Sequence, residues 1–212
     1  MTNYRTPTVE TYEGLDKAFE HFNRELFGDR LQPCLITLQR KRKTHGYFWA
    51  EQFKHRQDGD TLHEIALNPE SLGRTLPEVL STLVHEMTHL EQQEYGKPGR
   101  KGYHNREWVG LMERVGLIPT ATGEIGGPQT GTKITHVIEE GGPFDEACAA
   151  LLATGFDLPW FTQAQLKAPT EKKKDLSKLK HTCPECGANA WAKQGSRLMC
   201  GDCQMDLEPE EV

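Results

Sequence analysis

Two histidines four residues apart, with a glutamate directly after the first, are the side chains of this sequence best suited to chemistry: His85-Glu86-Met87-Thr88-His89. On a helix, positions i and i+4 project from one face, so both imidazoles can reach a single metal ion. Glu86 is offset around the helix from His85, which lets its carboxylate meet a water at the metal without becoming a ligand. That is where metal-assisted hydrolysis needs a general base. On an ordinary amphipathic helix the same residues would lie among Leu83, Val84 and Met87, where polar groups must find partners.

The flanking sequence predicts that helix. Thr75-Leu76-Pro77-Glu78 reads as a capping box, followed by apolar Val79, Leu80, Leu83, Val84, Met87 and Leu90 at helical spacing. A hydrolytic zinc site takes three protein ligands and keeps one position open, so a third donor must come from further along. The spacing HExxHxxGxxH is excluded, because Gln92 and Tyr95 stand where Gly and His would be. Glu107 and Glu113 are possible donors. His104 is better placed, after the turn-rich residues 96–102 and before a second helical pattern of Trp108, Val109, Leu111, Met112 and Val115, closed by Gly116 and Pro119. As a second donor to an oxyanion, His136 and Tyr103 are the candidates.

A second cluster lies near the end of the chain. Cys183-Pro184-Glu185-Cys186 and Cys200-Gly201-Asp202-Cys203, with 13 residues between them, supply four thiolates on two tight turns. This is the spacing of a closed, structural zinc ribbon, which supports folding and not turnover. Ala190 to Lys193 and Arg197 to Met199 read as two strands of a hairpin around Gln194-Gly195-Ser196. Cys34 and Cys148 stand alone in apolar sequence and suit core packing.

The stretch from Leu83 through His89, then Tyr103-His104-Asn105-Arg106-Glu107-Trp108 and Val115-Gly116-Leu117, resembles the SprT-like metalloprotease family. Phe22 to Leu31 and Ile65-Ala66-Leu67-Asn68 are similar to that family's opening helix and to the strand before its metal helix, so the likeness spans roughly residues 8 to 120. It implies that His85, His89 and His104 bind a catalytic zinc, that Glu86 activates water, and that the substrate is a protein bound or crosslinked to DNA. Asn105, where many relatives have Gly, and Trp108, where Phe is common, leave that ligand set intact. A C-terminal ribbon like the one here is also frequent among bacterial SprT-like proteins.

The expected architecture is α+β, a zincin-like core of helices on a small antiparallel sheet plus a small β zinc ribbon. A helix is expected over 8–27, strands over 35–39, 46–49 and 62–67, then the two metal-bearing helices and a short helix from Phe144 to Leu152. Short connections favour antiparallel pairing of the three strands. Residues 118–143 turn to Gly, Thr and Pro around a strand-like run from Ile134 to Ile138, which suits either a substrate-binding loop or a connector. Domain bounds are read as 8–160 for the core, 161–180 for a Lys-rich linker and 181–208 for the ribbon.

Lys and Arg number 25 against 31 Asp and Glu, a net charge of -6, so any nucleic-acid binding has to be local. The candidate patches are Arg40, Lys41, Arg42 and Lys43; Lys97, Arg100 and Lys101 beside His104; and Trp191, Lys193 and Arg197 on the ribbon. Ligand-spaced thiols, with no signal-like or membrane-spanning apolar run, lead to the expectation of an intracellular, reducing, cytoplasmic location without a membrane partner. Two zinc ions, one catalytic and one structural, are the expected cofactors, with a protein substrate and DNA as partners. The competing reading is a non-catalytic nucleic-acid-binding adaptor that works through the ribbon. A third is a hydrolase of free small peptides.

Overall fold

A computed structural model describes residues 6–162, 179–193 and 195–209. The chain divides into two compact units, residues 1–166 and 167–212. Most of the Lys-rich stretch read as a linker, residues 163–178, lies outside the described residues.

In the first unit, α1 (Pro7–Phe27) starts with Pro at its first turn and ends at Gly28, whose φ of 64° supplies the left-handed cap. It buries Leu15, Ala18, Phe19, Phe22 and Leu26, whereas Tyr12, three residues before Leu15, is exposed. The strands β1 (Leu35–Leu38), β2 (Gly46–Lys54) and β3 (Thr61–Leu67) form one sheet in the order β1-β3-β2. The α+β class stands, but the sheet is mixed and not all antiparallel. β2 pairs antiparallel with β3, as a hairpin must, while β1 pairs parallel with β3, Leu35 opposite Glu64 through Leu38 opposite Leu67. β3 therefore lies in the middle, and β2 is an edge strand with a register shift between Trp49 and Phe53.

Helix α2 (Leu76–Tyr95) crosses this sheet. Its capping box forms as expected: the Thr75 backbone N–H donates to Glu78 Oε2 at 2.9 Å and the Thr75 hydroxyl donates to the same oxygen at 2.6 Å. Leu80, Leu83, Val84, Met87 and Leu90 are wholly buried, the band that holds α2 against the sheet and α1. Glu91, also buried, lies between the guanidinium groups of Arg30 and Arg114. Helix α3 (Arg106–Arg114) is capped by Asn105, whose side-chain oxygen accepts from the Trp108 N–H at 3.0 Å.

Beyond α3 the Gly- and Pro-rich composition conceals a second, two-stranded sheet. Gly116, at φ 78°, turns the chain into β4 (Leu117–Thr120), which pairs antiparallel with β5 (Thr135–Ile138). β4 is short and carries Pro119, so its pattern does not announce a strand. Helix α4 (Pro143–Ala153) follows, and its Phe144 stacks on Phe22 of α1 with ring centroids 5.5 Å apart.

In the second unit, β6 (Leu179–Thr182) lies between β7 (Asn189–Ala192) and β8 (Glu208–Pro209). The hairpin expected between 190–193 and 197–199 is not the pairing that forms. Thr182 pairs with Asn189 across the first cysteine turn, and Met199 bridges Asp206 across the second. Each CxxC turn is thus itself the connection between paired segments, which fixes the four sulfurs as part of the ladder. Among the described residues, no helix is long and apolar enough to cross a membrane.

Candidate metal centre and cleft

α2 presents His85 and His89 one turn apart, and the loop before α3 brings His104 over them. The three imidazoles each offer a nitrogen, and these atoms all lie within 4.8 Å of one another. Ring centroids are 5.3 Å apart for His85 and His89, 5.7 Å for His85 and His104, and 4.9 Å for His89 and His104. Trp108 of α3 is fully buried behind them, its ring 4.9, 4.8 and 4.3 Å from those of His85, His89 and His104. Glu107 and Glu113, the other possible third donors, turn elsewhere: Glu107 accepts from Gln92 and from the Lys97 N–H, and Glu113 from Gln129.

His104 is held by the Gly-rich segment. Its backbone exchanges hydrogen bonds with Gly131, and its Nδ1 lies 2.9 Å from the Gly131 carbonyl oxygen. Nδ1 must be the protonated nitrogen there, which leaves the lone pair on Nε2 free. His136 on β5 does not stand as a free donor for an oxyanion: its Nδ1 is 3.1 Å from His85 Nδ1 and its Nε2 is 2.9 Å from Ser81 Oγ. Tyr103 does line the cleft.

Burial sets the electrostatics. It drives the pKa of His89 down to about 3 and that of His136 to about 4, and lowers His85 and His104 as well, with the neighbouring imidazoles adding to the effect at His85 and His89. Neutral imidazole is the form that ligates a metal, so this donor set fits zinc by its chemistry. Burial acts oppositely on Glu86, whose pKa rises to about 8 against the pull of Lys41 and of the Phe48 N–H. A cation among the imidazoles would draw that carboxyl back toward its charged form.

These shifts predict how the metal-free protein responds to pH. A histidine whose folded pKa lies below its ordinary 6.5 takes up a proton in the unfolded chain first, so stability is intact above pH 6.5 and falls as pH drops toward the folded value. Glu86, raised from 4.5 to about 8, costs stability as pH rises through that window. With His45, His85, His89, His104 and His136 set against the raised carboxyls of Glu86 and Glu94, the unfolding free energy of the metal-free chain, and with it the urea midpoint, is expected to fall between pH 6.5 and 5, the free energy by about 1.4 kcal/mol per pH unit for each net proton. A midpoint that is flat or rises on acidification over that range contradicts this balance.

The imidazoles and Glu86 open into a cleft of about 880 Å³. Four of the cations singled out in the sequence, Lys41, Lys43, Arg100 and Lys101, line it, together with Lys133, while Glu86 is the only acidic side chain in its lining among the described residues. Lys101 Nζ sits 3.3 Å from the centroid of the Trp49 ring and Lys41 Nζ 4.2 Å from that of Tyr47, so both ammonium groups rest on aromatic faces of β2. Arg40 instead faces Glu70 at 3.9 Å, and Arg42 and Lys97 are not part of this wall. Trp191, Lys193 and Arg197 belong to the second unit, where Arg197 is paired with Asp206 at 2.9 Å.

Gly46 makes room for the carboxylate. A Cβ there would meet the Ala66 carbonyl oxygen at 3.0 Å, Thr82 Cγ2 at 3.0 Å and Glu86 Oε1 at 3.1 Å. Gly46→Ala is therefore expected to displace Glu86 and cut any hydrolytic rate by at least tenfold, for about 1–3 kcal/mol of stability. Unchanged turnover in a folded Gly46→Ala protein would show that the carboxylate's position is not critical.

In the second unit, one sulfur from each of Cys183, Cys186, Cys200 and Cys203 lies within 4.8 Å of the others. The backbone N–H groups of Cys203 and Asp202 point at Cys200 and lower its pKa to about 7. Amides aimed at sulfur and a four-thiol donor set fit a structural zinc.

The sequence profile of the SprT-like family matches residues 15–132, more than half of the chain and all of α2 and α3. The chain belongs to the SprT-like family. This membership suggests a zinc metallopeptidase. A 59-residue stretch of the SprT-like chain is also 49% identical to an uncharacterized protein in the mucB 3' region of Salmonella typhimurium, covering 28% of this chain and 80% of that protein. No solved structure matches it. β5, with His136, lies beyond the residues matched by the family profile.

Proposed function

We propose that the protein is a zinc-dependent endopeptidase that acts on proteins bound or crosslinked to DNA. The observation that carries the reading is the convergence of three neutral imidazoles beside a buried carboxylate in an open cleft. His85, His89 and His104 would hold the catalytic zinc, and Cys183, Cys186, Cys200 and Cys203 the structural one. A zinc ion held there would supply Lewis acidity and a water acidic enough to yield a nucleophile near neutral pH. Glu86 takes the proton from the attacking water and delivers it to the leaving amine nitrogen. Trp108 keeps the imidazoles in register from behind, and the aromatic face of β2 walls the cleft.

The DNA part of the reading is supported by charge. Among the described residues, five cations and one acid line the cleft of a chain whose net charge is -6, a local field that draws a polyanion toward the site and weakens with salt. An observation also favours the adaptor reading: the ribbon is compact in its own right and exposes Trp191 at 63%, a surface on which a base could stack.

Zinc content and cleavage, measured together on the full chain, separate the two. The wild type is expected to hold two zinc ions and to cut a protein crosslinked to DNA faster than the same protein free. His104→Ala should hold one zinc and be inactive. Two zinc ions in the His104→Ala protein, or DNA binding by the wild type with no cleavage of any protein, would overturn the enzyme reading. Equal cleavage with and without DNA would overturn only the DNA part.

A further inference from the structure

We infer that His136 is a positioning residue for the metal ligand His85, the first link of a hydrogen-bonded chain that runs back to the first turns of α2. The inference rests on the zinc reading above. His85 Nδ1 and His136 Nδ1 are 3.1 Å apart, and His136 Nε2 is 2.9 Å from Ser81 Oγ, which donates to the Glu78 carbonyl at 3.0 Å. Two facing ring nitrogens can bond only if one carries a proton and the other does not.

Ligation by His85 removes the ambiguity. If Nε2 gives its lone pair to zinc, Nδ1 carries the proton and donates it to His136 Nδ1. The His136 proton is then on Nε2, which donates to Ser81, whose own hydroxyl proton goes to the Glu78 carbonyl. Every atom in the chain has a single consistent role, and the last acceptor is the backbone of the helix that carries His85.

His104 is locked by the Gly131 carbonyl in the same sense. Among the described residues His89 has no ring hydrogen bond and is held by packing against Trp108 and Phe48, with ring centroids 4.8 and 6.4 Å away. Two of the three imidazoles are thus oriented by a short stretch that starts at Gly131 and ends on β5. His136 lies outside the residues matched by the family profile, so the family match does not itself supply this partner for His85.

The side chains that replace His136 distinguish orientation of His85 from mere support of Ser81. The Asn amide oxygen can occupy the place of Nδ1 and accept from His85. The Gln amide nitrogen instead reaches the place of Nε2 and serves only Ser81. The experiment measures Zn2+ affinity of the full chain by competition with a chromophoric chelator, for wild type, His136→Asn, His136→Gln and His136→Ala, with urea unfolding of each metal-free protein alongside.

The expected result is that one of the two zinc ions is held about 10- to 100-fold more weakly in the Gln and Ala variants, that Asn restores most of the loss, and that the ribbon zinc does not change. Metal-free unfolding midpoints should not follow that ranking. Equal zinc affinity in all four proteins, or rescue by Gln and not by Asn, overturns the inference. If His104→Ala also leaves zinc content unchanged, the zinc reading falls with it. If His104→Ala loses one zinc while all His136 variants bind normally, only the role of His136 falls.

Discussion

Glu86→Gln is expected to leave both zinc ions in place and to slow peptide hydrolysis by about 10²–10⁴-fold. The amide has the shape of the carboxylate and fits beside Gly46, but it cannot take a proton from water. Since Glu86 lies outside the group of converging ligand nitrogens, metal content should not fall. Burial already raises the Glu86 pKa to about 8, so neutralising the side chain removes a desolvation cost. The metal-free Gln protein should be at least as stable as wild type at pH 8. Cleavage at wild-type rate with full zinc content would rule out Glu86 as the base.

Trp108→Ala should be the most damaging substitution in the first unit that removes neither a ligand nor the base. The indole is fully buried and within 4.9 Å, centroid to centroid, of all three imidazole rings. Its removal is expected to cost about 3–5 kcal/mol and to loosen the geometry of every ligand at once. Trp108→Phe is the informative contrast. Among the described residues Trp108 Nε1 has no hydrogen-bond partner, so Phe keeps an aromatic platform and removes an unpaired buried donor, at the expense of a small cavity. The Phe protein should stay within about 1.5 kcal/mol of wild type and retain two zinc ions. Urea unfolding with zinc analysis checks both; an Ala protein with wild-type stability and metal content would show that the indole does not support the ligands.

Much of the site was readable from local pattern. The capping box and the apolar spacing from Val79 to Leu90 placed the motif within a helix, and His104 followed from a turn-rich loop before a capped second helix. These signals lie within a few residues of what they specify. The pairing of β1 was not readable in this way, because β3 lies between β1 and its hairpin partner β2, and pairing partners are chosen by the whole sheet. β4 was hidden by Pro119. The bond from His136 to His85 joins residues 51 positions apart, and nothing near either residue signals it. The ribbon hairpin was misplaced because strand pattern suggested a link across 194–196, whereas the cysteine turns themselves join the paired segments.

The burial of Glu91 between Arg30 and Arg114 has a mechanical consequence. The carboxylate lies two residues past His89, and its guanidinium partners come from just beyond α1 and from the last turn of α3. Arg114 also donates to the Leu26 carbonyl at the end of α1. α1, α2 and α3 are therefore clamped into a single rigid jaw, and one cannot swing without rupturing a charged joint. Any widening of the cleft falls to its lining loop 98–102, which lies outside that joint. Gly99 and Gly102 allow that loop backbone freedom that the jaw lacks.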